Sequence, residues 1–136
     1  MPSQHDNLWP DDLVVSGPKA PAVILREQGA LLGKRTNNLV LGRVVAQNQD
    51  TEKADGAFLY TFYLVAPALD NYHYKLFIMK HGINLYPVMV HCPKVKLRRI
   101  GARTQEEFLG ILREIFASEH TRQVIESLLA QSQAPV

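Results

Sequence analysis

Apolar and polar positions change their pattern twice along this chain. In "PAVILREQGALLGKRT", residues 21–36, Ile24, Leu25, Leu31 and Leu32 recur at helical spacing, which predicts a helix. Ser16 and Pro18 suit its approach, and Asn37 and Asn38 suit its end. Gly29 and Gly33 each weaken a helix by ~1 kcal/mol relative to alanine, so packing has to compensate or the helix has to be short. From Leu39 onward "LVLGRVVAQ" is rich in β-branched residues and reads as a strand, followed by the polar loop "QNQDTEKADG". "AFLYTFYLVA", "YHYKLFIMK" and "PVMVHC" read as three more strands, joined by the turns "PALDN" and "HGINLY". Connections this short join antiparallel neighbours, because a parallel pair needs a crossover of about a dozen residues or more. After Pro93, "KVKLRRI" resumes as a fifth strand at an edge or bulge, since proline cannot donate to a ladder.

The pattern changes again at Thr104. Thr104 with Glu107 forms a capping box, and Phe108, Ile111, Leu112, Ile115 and Phe116 follow at i, i+3, i+4, i+7 and i+8. A second apolar set, Val124, Ile125, Leu128 and Leu129, points to another side of any continuous helix: at ~100° per residue, Leu128 lies ~200° from Phe108. The helix therefore breaks near "SEHT" and a second one follows. The expected fold class is α+β: an N-terminal helix, a four- to five-stranded antiparallel meander sheet, and one or two C-terminal helices packed on the sheet. Residues 1–17 are expected to form a flexible N-terminal arm, 18–132 one α+β domain, and 133–136 a frayed tail.

The stretch "YHYKLFIMKH", residues 72–81, is the most crowded with chemistry. If "HGINLY" pairs Lys80 with Pro87, strict alternation gives one face His73, Lys75, Phe77, Met79, Val88, Val90 and Cys92, and the other Tyr72, Tyr74, Leu76, Ile78, Met89 and His91. The second strand adds Phe58, Tyr60, Phe62 and Leu64 to one side, with Leu59, Tyr63 and Val65 on the other. Neither face is polar, whereas a sheet with one wet face shows clean alternation. Three arrangements meet this demand: both faces covered from within the chain, one face open to a second subunit or protein, or a ligand cavity between sheet and helix.

Composition narrows the class. With 136 residues, 46% of them hydrophobic and 21% charged, the chain has enough apolar side chains for one substantial core and does not resemble a disordered segment. The first residues lack the basic and apolar regions of a secretory signal, and no apolar run has the length of a membrane span. The lone cysteine, Cys92, excludes an intrachain disulfide framework, so the expected location is the cytoplasm. Charge is segregated: the 35 residues from Asn71 to Gln105 hold no acid but include Lys75, Lys80, Lys94, Lys96, Arg98, Arg99 and Arg103, and the rest of the chain is net acidic. Such asymmetry concerns partners and steering, not fold.

Candidate chemistry is sparse. His73 and His81 are eight residues apart on one strand, ~26 Å at ~3.3 Å per residue, too far to share an ion. His91 and Cys92 are adjacent and point to opposite faces. His73 and Cys92 could meet as diagonal neighbours, but two ligands do not make a zinc site. No metal or cofactor is expected. A thiol enzyme using Cys92 with His73 would still need a group to orient the imidazole. The pattern points first to a small binding protein that acts through a basic, tyrosine-bearing sheet surface, with Lys75, Lys94, Lys96, Arg98 and Arg99 as its cations and Tyr60, Tyr72 and Tyr74 as its aromatic part. The expected partner is an acidic protein or a second copy of the chain, giving a homodimer. Nucleic-acid binding through the basic 94–103 stretch is the alternative, and a Cys92 thiol enzyme the third.

Overall fold

A computed structural model describes residues 7–47, 57–95 and 99–133 of the chain. Helix α1, Pro21–Arg35, starts with its proline in the first turn, where a missing N–H costs nothing, and ends with Lys34 and Arg35, which suit the negative end of the helix dipole. Thr36 organises the reversal that follows. Its hydroxyl accepts from the Val40 N–H at 3.1 Å and lies 2.8 Å from the Val40 carbonyl and 3.0 Å from that of Leu32. Asn37 and Asn38 take the left-handed conformation, with φ of 52° and 65°, which asparagine tolerates better than most residues.

The strands are β1, Leu41–Ala46, β2, Phe58–Ala66, β3, Tyr72–His81, β4, Val88–His91, and β5, Arg99–Ala102. They form one antiparallel five-stranded sheet in the order β1-β2-β3-β4-β5. The expected meander is therefore found, with its fifth strand at Arg99–Ala102. Of the stretch expected to carry that strand, residues 96–98 lie outside the described residues.

Two helices close the domain, and the cap signals locate both. Thr104 Oγ1 accepts from the Glu107 N–H at 3.2 Å and opens α2, Gln105–Ala117. The Glu107 carboxylate reaches back to the Arg103 N–H at 2.7 Å, one residue ahead of the cap. Ser118 ends α2 and caps α3, Glu119–Ser132, by accepting from the Thr121 N–H at 3.2 Å. The expected break thus falls on Ser118. None of the described helices is long and apolar enough to cross a membrane.

All three helices contribute to one core. Ile24 and Leu25 of α1, Phe108 and Ile115 of α2, and Leu128 of α3 join Phe62, Leu64, Phe77, Met79, Val88 and Val90 of the sheet. Phe62 and Phe77 stack at its centre, with centroids 5.2 Å apart and planes 11° from parallel. The sheet residues in this cluster belong to one face, so the fold is α+β with its helices on one side of the sheet.

The glycine of α1 that weakens the helix intrinsically is explained by contact. A Cβ on Gly29 would lie 2.4 Å from the Gly42 carbonyl oxygen, and one on Gly42 would lie 2.5 Å from both Gly29 Cα and Phe62 Cζ. Helix and strand meet backbone to backbone, which only glycine on both sides permits. Gly42→Ala is therefore expected to cost about 1–3 kcal/mol of overpacking or more. Gly110→Ala in α2, where an added Cβ meets nothing within 4 Å, should stabilise by about 0.4–1 kcal/mol. Urea denaturation of both variants checks this: the midpoint should fall for the first and hold or rise for the second.

Candidate binding site on the sheet

The crowded strand departs from strict alternation. Phe62 pairs with Phe77, but the next residue, Tyr63, pairs with Lys75, so Leu76 is an extra residue in β3. A bulge of this kind moves everything on one side of it to the other face. The β3–β4 register also differs by two residues from the expected one, with His81 opposite Val88 and Met79 opposite Val90. A shift of two preserves faces, so Phe77, Met79, Val88 and Val90 share a face as anticipated. The bulge changes the rest: His73 and Lys75 leave that face, and Tyr72 and Tyr74 turn toward the helices.

The opposite face carries no described helix. Three rows cross it: Val45, Thr61, Ile78 and His91; Arg43, Tyr63 and Lys75; and Leu59, Lys80 and Met89. Its middle is mixed: Leu59, Ile78 and Met89 lie around Lys80 and Thr61, and Thr61 and Val65 of this face are themselves buried. Leu59, Ile78, Lys80, Met89 and His91 border a shallow depression of about 390 Å³, and Met89 is 45% exposed. Arg43 and Lys75 stand exposed on the flank, and none of the five strands contains an aspartate or glutamate. Tyr63 meets the His73 ring edge-on at 5.6 Å, and His73 Nδ1–H donates to the Asn71 carbonyl. His91 Nδ1 is buried and has no hydrogen-bond partner among the described residues.

The residues proposed from sequence fall in different places. Lys75 lies on the uncovered face, and Lys94 is exposed in the turn after β4. Arg99 pairs with His91 through its backbone in β5. Lys96 and Arg98 lie outside the described residues. The three tyrosines are on the helix side. Tyr60 stacks on His81 at 5.7 Å, Tyr74 Oη is hydrogen-bonded to His120 Nε2 of α3 at 2.7 Å, and Tyr72 borders a groove of about 570 Å³ between β3 and α3. The structure therefore does not bring Tyr60, Tyr72 and Tyr74 together with Lys75. It supplies Tyr63 and Arg43 instead. Both were legible in the alternation of β1 and β2, which contain no bulge between these positions and the core residues that orient them.

The helix side has a second groove, about 500 Å³, between α1 and α3, where Phe62, Phe116 and Ile125 form an apolar lining with Lys34 and Arg35 beside it. The structure thus contains open grooves as well as a sheet face that no described helix covers.

Cys92 is fully buried on the helix side, its Sγ–H directed at the Leu76 carbonyl 3.4 Å away. His73 is exposed on the other face, so the pair that alternation allowed to meet is separated by the sheet; the bulge is the physical reason. Burial pushes the Cys92 thiol above its ordinary value, against the opposing effect of hydrogen bonds from the Val95 and Lys94 backbone. Among the described residues no three or more His, Cys, Asp or Glu are grouped to hold a metal ion. No protein-family model, curated protein or solved structure matches the chain.

The thiol leads to a prediction. Burial also raises Tyr74, helped by Tyr72 and Cys92, and raises Tyr86. A group whose folded value is raised supports the fold fully below its unfolded pKa and stops doing so as pH climbs through the folded one. The urea midpoint should therefore hold below the ordinary thiol range, about 8.5, and fall above it; Cys92→Ala should remove the thiol's share of the slope. In native protein Cys92 should react with a thiol reagent roughly tenfold more slowly than in urea, or slower still, because burial keeps it an inaccessible thiol.

Proposed function

We propose that this chain is a binding module, and that it takes an acidic protein segment on the uncovered face of its sheet. The observation that carries the reading is the composition of that face: half-buried Leu59 and Ile78 and exposed Met89 beside the cations Arg43, Lys75 and Lys80, with no carboxylate in any described strand. Contiguous exposed apolar surface marks interaction sites, and cations beside it steer and select a partner of opposite sign. Direct packing of this face on the same face of another copy would set Arg43 and Lys75 against their equivalents, so the charge favours a complementary segment over face-to-face pairing.

The nucleic-acid alternative gains less support. Phosphate tracking requires a continuous cationic groove with stacking aromatics, whereas on this face Leu59, Ile78 and Met89 interrupt the cations and Tyr63 is half-buried. Toward the helices, the Arg103 backbone is already tied to the Glu107 carboxylate, with Glu106 beside it. A buried, unpaired cysteine suits a reducing compartment, and the cytoplasm is the proposed location.

Selection of phage-displayed random peptides on the immobilised protein tests this reading. Recovered peptides should interleave Asp or Glu with large apolar residues and bind more weakly as salt rises. Their affinity for Arg43→Glu/Lys75→Glu should fall by roughly tenfold or more, while the urea midpoint stays close to wild type because both side chains are exposed. Peptides without acidic bias, or binding unchanged by the reversal, would remove the face from consideration. Tight capture of oligonucleotides in place of peptides would favour the alternative.

A further inference from the structure

The structure assigns an occupant to this face: we infer that the N-terminal arm of one copy, residues 7–18, docks on the uncovered sheet face of a second copy, so that two chains pair by exchanging arms. The inference rests on the docking reading of the preceding section and names the segment that fills it.

The arm has the chemistry that the face lacks. Leu8, Trp9, Leu13, Val14 and Val15 are all strongly exposed, Trp9 at 72%. Folding leaves that apolar surface in water. Between Asn7 and Pro18 the only charged side chains are Asp11 and Asp12. An acidic centre flanked by large apolar residues is the complement of a sheet face that sets Leu59, Ile78 and Met89 beside Arg43 and Lys75, neither of which forms an ion pair with a described residue.

Geometry permits exchange between copies. Lys19 fixes the base of the arm to the helical layer: its N–H donates to Gln105 Oε1 at 2.8 Å, its carbonyl accepts from Tyr86 Oη at 3.1 Å, and its ammonium lies 2.9 Å from Glu27. The arm therefore leaves from the side of the molecule opposite the uncovered face. Twelve extended residues reach about 40 Å, and five strands are about 20 Å across, so an arm that crosses to a neighbour spans the whole face. Gly17 at φ 80° and Pro18 direct the chain away from α1 and keep the helix from extending into the arm. Reciprocal exchange closes a two-fold pair, with carboxylates in place of the like charges that direct face-to-face packing would oppose.

A charge exchange in the 136-residue chain tests the inference. The two variants are Asp11→Lys/Asp12→Lys and Arg43→Glu/Lys75→Glu, with sedimentation as the readout. Trp9 is the single tryptophan of the chain, so its emission reports burial of the arm directly. Wild type should dimerise with concentration as the emission shifts to the blue. Each variant alone should associate roughly tenfold more weakly or not at all. An equimolar mixture should recover the dimer, since the lysine-bearing arm then meets the glutamate-bearing face and the wild-type arm meets the wild-type face. A wild type that stays monomeric into the submillimolar range, or an arm variant that dimerises as well as wild type, would overturn the exchange. If wild type is monomeric while acidic peptides still lose affinity for the face variant, the arm inference falls and the docking face stands. If those peptides are also indifferent to the reversal, both fall.

Discussion

A single additional residue in β3 decides what each side of the sheet presents. The strand's two halves have opposite parity: Phe77 and Met79 belong in the core, and by plain alternation Lys75 and His73 would follow them under the helices. Burying an unpaired lysine there would cost several kcal/mol. Inserting Leu76 against the Phe62–Tyr63 step resolves the conflict, because it keeps both aromatic and aliphatic core residues inside while turning Lys75 and His73 out. The same turn sends Tyr74 toward α3, where His120 satisfies its hydroxyl.

The second constraint is the placement of the helical layer. Helix α1 lies so close to β1 that Gly29 and Gly42 touch through their backbones, and α2 and α3 fill the remainder of the same face. The helical layer is committed to one side. A sheet without an acid in any described strand then has one face packed by helices and another left with leucine, isoleucine and methionine among cations. Burial and charge agree on that face: both are improved by something apolar and negative. The arm before α1 has those properties and no described tertiary packing for its large side chains, which is why arm and face are read together.

Most of the architecture was legible because it is written in local signals. Thr104 with Glu107 marks the start of α2, the rotation between the Phe108 and Leu128 sets marks the break at Ser118, and short turns between apolar runs require an antiparallel meander. The glycines of α1 raised the right question, although only the structure supplies Gly42 as the answer. The faces of β3 were not legible, because a bulge adds one residue without any compositional mark and inverts all that precedes it. Alternation therefore grouped Lys75 with Phe77 and allowed His73 to meet Cys92. Where no bulge intervened, as in β2, alternation separated Tyr63 from Tyr60 correctly, and Arg43 of β1 would have followed from the same count.

The parity of β3 and the exposure of one sheet face can be read together from the methionine methyl groups. Met79 is fully buried and Met89 is 45% exposed, on neighbouring strands but opposite faces. In dilute solution, a soluble paramagnetic agent should broaden the Met89 methyl resonance strongly and leave that of Met79 nearly untouched. Equal protection of the two would mean that the second face is covered, and the account of this protein as a one-sided sheet awaiting an acidic partner would be contradicted.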